Sequence, residues 1–250
     1  MVTQQVSRLR DFHAKQKSPQ FTSLEEKLDS VVDDNNAELL DGFIRIAVGR
    51  LSDKNPHCSQ FANFFRQVHP SLSARYLVGA LANLSQEADS LAILKSYGAS
   101  RHTVRPLVHG LADPRRVHNI TDILAFYGPS KDTVFPLIHD MAYPELVTPV
   151  KNVFLRYGPS RHIISLLVNY LDDHVRAPHI KEVLLDYGPS EFMVGHLINA
   201  LGYPNMQQAA SEILISFGRT VLPFIHHPSR MSGVYRQVTQ VLSEIPRRGA

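Results

Sequence analysis

The chain has 250 residues, of which 44% are hydrophobic and 20% are charged, and its formal net charge is +3. This composition is ordinary for a folded protein and argues against global disorder. The length suffices for one or two domains with a sizeable core, and no apolar run reaches the ~18 residues of a membrane span. The single cysteine, Cys58, excludes an internal disulfide and a multi-cysteine zinc site.

The first twenty residues form a basic segment with few apolar side chains. They hold Arg8, Arg10, Lys15 and Lys17 against the single acidic residue Asp11. This composition predicts a flexible basic arm over residues 1–20. A mitochondrial presequence is the alternative, although Asp11 and the weak apolar face argue against it. Because a single cysteine fits a reducing compartment, we expect a cytoplasmic protein, with a mitochondrial or other organelle matrix as the alternative.

Residues 21–66 are predicted to form a helical N-terminal cap. Ser23 and Glu26 have the spacing of a capping box, which starts a helix. Asn36 is a suitable N-cap for a second helix. The apolar residues of that helix are Leu39, Leu40, Phe43, Ile44, Ala47 and Leu51. A third, short helix is indicated by Phe61, Phe64, Phe65 and Val68.

Beyond the cap, the chain repeats with a period of thirty residues. An aromatic residue followed by glycine marks each period. The pairs are Tyr97-Gly98, Tyr127-Gly128, Tyr157-Gly158, Tyr187-Gly188 and Phe217-Gly218. Such a period is typical of stacked-repeat proteins, in which each unit buries its apolar face against its neighbours. We therefore predict a helical-repeat solenoid over residues 67–246, followed by a short tail at 247–250. The last unit is shortened, and its final helix is expected around Val234–Ile245.

Each period predicts a helix, a turn, a second helix and a corner. At one corner, Gly128 suits a left-handed helix end, Pro129 cannot continue the helix, and Ser130 is a good N-cap for the next helix. The turn carries a proline in three copies, where Asp113-Pro114 predicts an N-cap and a first helical residue.

Both helices of the unit carry an apolar stripe with helical spacing. The first-helix stripes are Val104, Leu107, Val108, Leu111; Val134, Leu137, Ile138, Met141; Ile164, Leu167, Val168, Leu171; and Val194, Leu197, Ile198, Leu201. The second-helix stripes are Val117, Ile120, Ile123, Leu124, Tyr127; Val147, Val150, Val153, Phe154, Tyr157; and Ile180, Val183, Leu184, Tyr187. Residues 68–96 are a degenerate copy of the same pattern. The sequence thus predicts an all-helical solenoid with at least five helical pairs.

This pattern resembles the HEAT-repeat family, and most closely the short HEAT-like repeats of phycobiliprotein lyases. The residues that carry the resemblance are Val134-Phe135-Pro136-Leu137-Ile138, Pro144 and Tyr157-Gly158, which repeat Val104-Arg105-Pro106-Leu107-Val108, Pro114 and Tyr127-Gly128. The resemblance covers residues 70–245 and implies an all-α, right-handed α-α superhelix. Because the second helices are poor in alanine and lack the usual Val-Arg opening, we expect the packing between repeats to differ in detail.

Two rows of polar residues are candidate partner-binding surfaces. The second helices carry Asp122, Asn152, Glu182 and Glu212. The resemblance places this row on the concave face and implies an acid-leaning groove for a basic partner peptide. The first helices carry a basic row on the opposite, convex side, which suits an acidic partner. Its members are Arg101, Arg105, Lys131 and Arg161. Ordinary solvated charge is the alternative interpretation of either row.

We expect no catalytic residue, metal or cofactor. His109 and His139 occupy equivalent positions, but their helical phase points outward and helix packing separates such positions by ~8–10 Å, too far for one ion. Cys58 beside His57 has no nearby sequence that suggests an oxyanion hole. The chain contains no Gly-rich phosphate loop, and it lacks the His-Glu dipeptides of HEAT-like di-iron hydroxylases.

The leading hypothesis is a non-catalytic interaction scaffold or complex subunit that binds a protein partner along the repeat surface. A nucleic-acid-binding protein, similar to HEAT-like DNA glycosylases, is the second hypothesis. The lack of tryptophan and the acid-leaning groove count against it. A bilin-lyase-like enzyme is the third, suggested by the type of repeat, although no residue matches a chromophore site.

Overall fold

The computed structural model describes residues 37–51, 61–62, 65, 69–225 and 235–244. Within these ranges the protein is helical and contains no strand. None of the helices described has the length and apolarity that a membrane crossing requires. Several predictions fall outside the described residues. They are the basic arm at 1–20, the capping box of Ser23 and Glu26, the N-cap Asn36, the pair His57-Cys58 and the tail at 247–250.

The described ranges contain twelve α-helices and one 3₁₀ helix. The first of these is α1 (Ala37–Gly49), in the predicted cap. The repeats follow as α2 (Pro70–Ala80), α3 (Glu87–Tyr97), α4 (Arg101–Gly110), α5 (Val117–Tyr127), α6 (Lys131–Asp140), α7 (Pro144–Tyr157), α8 (Arg161–Asn169), α9 (Ala177–Tyr187), α10 (Glu191–Ala200) and α11 (Pro204–Phe217). The 3₁₀ helix (Gly218–Phe224) replaces the start of the next repeat, and α12 (Tyr235–Glu244) is close to the predicted last helix.

The helices belong to two compact units, Met1–Thr133 and Val134–Ala250, and the division falls within α6. In the first unit, α2 packs against α4, and α3 packs against α5. In the second unit, α8 packs against α10, while α7 packs against α9 and α9 against α11. Helices with the same place in the repeat therefore lie side by side, which is the stacked arrangement that the thirty-residue period predicts within each unit.

The predicted apolar stripes form the core of each unit. All sixteen residues of the first-helix stripes are at most 3% exposed. The central residues of the second-helix stripes, such as Ile120, Val150 and Val183, are fully buried. Leu77, Leu81 and other residues of the degenerate copy are buried in the same way. The helical phase read from the sequence is confirmed.

The serines at the corners cap the first helices as predicted. The hydroxyls of Ser100, Ser130, Ser160 and Ser190 accept hydrogen bonds from the backbone N–H three residues later, at 3.2–3.3 Å. In two copies a threonine completes the cap. Thr103 Oγ1, for example, accepts from the backbone N–H of Ser100 at 3.0 Å and donates to the Gly98 carbonyl at 2.8 Å.

The corner glycines have positive φ, as predicted, but they do not adopt the predicted left-handed helical conformation. Gly158, for example, has φ 74° and ψ 174°. This combination is an extended conformation with positive φ, which is essentially restricted to glycine. It turns the chain away from the helix axis, so that the next serine can cap a new helix two residues later.

In two copies the tyrosine before the corner glycine connects neighbouring second helices. The Tyr187 hydroxyl donates a hydrogen bond to the Phe154 carbonyl at 2.6 Å, and the Tyr127 hydroxyl donates to the Leu94 carbonyl. These carbonyls lie in the last turn of α7 and α3, and that of Phe154 also accepts from the backbone N–H of Gly158 at 3.1 Å. Burial raises the pKa of both tyrosines, which keeps the hydroxyls protonated as donors.

The prediction that Asp113-Pro114 starts a second helix is wrong, because α5 begins at Val117 and residues 114–116 form a turn. Asp113 Oδ1 accepts from the backbone N–H of Arg115 at 3.1 Å, and its carboxylate also binds the guanidinium groups of Arg115 and Arg116. This local turn competes with the helix. Where tyrosine replaces the aspartate, helices α7 and α11 do begin at the proline.

Candidate partner-binding surface

Three members of the predicted row on the second helices point outward, as the helical phase implies, whereas Asp122 is half-buried and its Oδ1 is buried. Asp122 lies on α5 in the first unit, where His118 Nε2 is 3.6 Å from its Oδ2. Asn152, Glu182 and Glu212 lie on α7, α9 and α11 in the second unit. Asn152 is exposed, and the side chains of Glu182 and Glu212 are 55% and 45% exposed. We call the outward face of α7, α9 and α11 the second-helix surface.

Each glutamate of this surface is paired with a lysine from the second helix of the preceding repeat. Lys151 Nζ lies 3.1 Å from Glu182 Oε2 and 2.9 Å from Asp186 Oδ2, and Lys181 Nζ lies 2.7 Å from Glu212 Oε2. We call these contacts the ion-pair ladder. Three carboxylates face two ammonium groups in the ladder, and the acid-leaning groove stays a prediction. The ladder is a mixed-charge border between neighbouring helices.

The ladder also shifts the pKa of two of its members. Hydrogen bonds from Lys181 and Gln208 lower the pKa of Glu212. Hydrogen bonds to Asp186 and Glu182 raise the pKa of Lys151. Both shifts favour the charged forms of Glu212 and Lys151.

An aliphatic row runs beside the ladder and was missed by the sequence analysis. Leu155, Leu185 and Ile215 occupy equivalent positions, each three residues after a member of the polar row. Leu155 is 39% exposed, and the other two are half-buried. The thirty-residue spacing of these aliphatic residues could have revealed the row. From sequence alone, however, they cannot be distinguished from core residues, because their exposure depends on how the helices pack.

Two grooves cross the second-helix surface. The first, which we call the α9–α11 groove, has a volume of about 560 Å³. Its apolar lining includes Leu171, Pro178, Leu185 and Ala209, and members of the ladder stand at its border. The second, which we call the α11–α12 groove, has a volume of about 360 Å³ and is lined largely by glutamine and glutamate.

The basic residues predicted for the first helices are also exposed. Arg101, Arg105 and Lys131 are exposed in the first unit, and Arg161 is exposed in the second. The guanidinium carbon of Arg161 lies 5.4 Å from the ring centre of Phe192, a cation–π contact that holds this side chain on the surface. The partner-binding role of both predicted rows stays a prediction.

His109 and His139 and the asparagines at the equivalent positions of the later repeats point outward, as their helical phase predicts. His109, His139, Asn169 and Asn199 are all exposed. Within the part of the chain that the structure describes, no group of three or more His, Cys, Asp or Glu side chains is placed to hold a metal ion.

The second-helix surface combines three chemical features. It has an aliphatic row that a partner can cover and shield from water. It also has charged groups that are already paired, and grooves large enough for side chains of another protein. Comparisons with protein-family models, with curated proteins and with solved structures found no match to this chain.

Proposed function

We propose that the protein is a non-catalytic interaction scaffold, an α-solenoid of the HEAT-like kind, that binds a protein partner on the second-helix surface. The observation that carries the proposal is the aliphatic row of Leu155, Leu185 and Ile215 beside the ion-pair ladder. An apolar strip bordered by polar groups is the usual composition of a protein interface.

The energetics of this surface favour association with another protein. Covering the aliphatic row removes apolar area from water, which stabilises a complex by about 25 cal/mol per Å². The paired charges beside it need no new counter-charge from the partner, so their burial is less unfavourable than that of isolated ions. The α9–α11 groove, at about 560 Å³, accepts several side chains of a partner.

The repeated helices also suit the binding of a protein partner. Because equivalent helices pack side by side, equivalent side chains recur along the surface at each repeat. A partner segment can therefore make similar contacts with α7, α9 and α11 in succession. A right-handed superhelical arrangement, which the family resemblance implies, forms part of this proposal.

The proposal is tested by photo-crosslinking from matched positions. A photoreactive amino acid is placed at Asn152 on α7 or at Asn199 on α10, two exposed asparagines of the same unit on different helix layers. The full chain is then irradiated in extract from its natural source. We expect a discrete protein adduct from position 152 and none of the same mass from position 199.

Two results would contradict the proposal. Equal adducts from both positions would indicate nonspecific contact, and an adduct from position 199 alone would assign binding to the first helices. As an independent check, Leu155→Ser should abolish the adduct while leaving the helical circular dichroism unchanged, since Leu155 is already partly exposed.

A further inference from the structure

We propose that the α11–α12 groove binds an extended protein segment that carries lysine or arginine side chains. This inference rests on the proposed function and specifies the chemistry of the partner at one end of the second-helix surface. Three observations carry it: the acidic side chains of the groove, its glutamine amides and the apolar residues in its lining.

Among the described residues, the charged side chains that line the groove are acidic. Glu212 on α11 and Glu244 on α12 both line it, and none of the described residues that line it is lysine, arginine or histidine. Lys181, which pairs with Glu212, comes from α9 and lines the neighbouring α9–α11 groove instead. A cationic side chain in the α11–α12 groove therefore meets the carboxylate of Glu244 and that of Glu212, whose charge is shared with Lys181.

Each carboxylate is oriented by a glutamine one turn earlier on its own helix. Gln208 Nε2 donates to Glu212 Oε1 at 3.1 Å, and Gln240 Nε2 donates to Glu244 Oε1 at 3.2 Å. The two walls thus present the same Gln–Glu pair at i, i+4 spacing. This arrangement holds both carboxylates in place, so a bound cation does not have to order them.

The glutamine amides suit the backbone of an extended peptide. Gln207 and Gln237 line the groove together with Gln208 and Gln240. A side-chain amide offers two N–H donors and a carbonyl acceptor, which match the carbonyl and N–H groups along a peptide. Main-chain hydrogen bonds of this kind give affinity, while pockets for alternate side chains give specificity.

Part of the groove lining is apolar. Pro204, Ile215 and Val241 contribute to its lining, and Ile215 also belongs to the aliphatic row. The methylene stems of lysine and arginine pack well on such residues while the charged end reaches the rim. A volume of about 360 Å³ fits a few side chains of a segment. Nucleic acid is disfavoured because the carboxylates repel phosphates.

The test uses fluorescent synthetic peptides and the full chain. One peptide carries lysine at alternate positions, and its counterpart carries glutamate there. By fluorescence anisotropy, we expect the lysine peptide to bind and the glutamate peptide not to bind. Glu244→Gln should weaken the lysine peptide about fivefold at low salt, and less at high salt. Glu145→Gln is the matched control, because it makes the same charge change at an exposed site on α7.

Equal affinity of the Glu244→Gln variant and the unmodified chain would overturn the proposal. So would a gain in affinity on changing both Arg247 and Arg248 to Ala, which would show that the chain's own tail occupies the groove. Dissociation of a dimer by Glu244→Gln in sedimentation would assign the groove to a second copy. A retained crosslink from position 152 alongside any of these results would leave the proposed function standing and refute only the groove's occupant.

Discussion

Gly158 illustrates how one residue type is required by backbone geometry alone. Its φ of 74° with ψ of 174° lies in a region that side chains with a Cβ rarely enter. No atom outside the adjacent backbone lies within 4 Å of the place where its Cβ would be. The requirement for glycine is therefore conformational, and crowding by neighbours does not contribute to it.

For this single residue, we predict that Gly158→Ala destabilises the protein by about 1–3 kcal/mol. Gly195→Ala is the matched control, because Gly195 lies inside α10, is exposed and also has no atom within 4 Å of its Cβ position. It should stabilise the protein by up to about 1 kcal/mol, since alanine favours helix interiors. Urea unfolding of both variants measures the difference, and equal effects of the two changes would contradict the assigned conformation.

At the scale of elements, the ion-pair ladder connects helices that are adjacent in the stack but one repeat apart in sequence. Lys181 on α9 reaches Glu212 on α11, and Lys151 on α7 reaches Glu182 and Asp186 on α9. These side chains are partly exposed, so each pair contributes less than about 1 kcal/mol to stability. Their value lies in aligning neighbouring helices at the proposed interface.

The ladder predicts a specific pH dependence. Because the pKa of Glu212 is lowered in the folded chain, its contribution is fully present above the ordinary glutamate pKa of 4.5 and is lost as the pH falls through the folded pKa. Glu212→Gln should therefore lower the thermal midpoint at neutral pH, and this deficit should shrink as the solution is acidified. Scanning calorimetry measures both midpoints.

Glu145→Gln provides the control for this pH series. Glu145 is exposed near the start of α7 and lies outside the ladder. Glu145→Gln should change the thermal midpoint only slightly. This change should not vary with pH in the way expected for Glu212→Gln. A Glu212→Gln deficit that persists unchanged at acidic pH would show that packing of the side chain, and not its charge, is responsible.

For the whole molecule, stability depends on contacts between successive repeats. In the second unit, α7 packs against α9 and α8 against α10. Separation of the chain after Ser160 places α7 on one piece and α8, α9 and α10 on the other. It exposes Val150 and Val153 on the first piece and Val183 on the second, all fully buried in the folded chain.

We therefore predict that the two pieces made by ending the chain after Ser160 and starting it at Arg161 are poorly soluble when expressed alone. Their co-expression should restore soluble protein, because each piece covers the apolar face of the other. Light scattering and far-ultraviolet circular dichroism of the separate and joined pieces measure this. Two monomeric, well-folded pieces would show instead that the repeats fold independently.

Much of the architecture follows from residues that are close in sequence. The apolar phase of each helix, the serine caps and the corner glycines depend on neighbours within a few residues, so the period of thirty predicts them. The start of α5 was missed because Asp113 forms a competing local turn with Arg115 and Arg116, although the signal was present in the sequence.

The sequence by itself determined the helical repeat, the buried stripes and the outward phase of Asn152 and Glu182, since an α-helix fixes the direction of each side chain from its spacing. The pairing of Lys181 with Glu212 and the two grooves were decided only by the tertiary structure. These features depend on the rotation and sliding of one helix against the next, and side-chain contacts across thirty-one residues do not follow from the period of the chain.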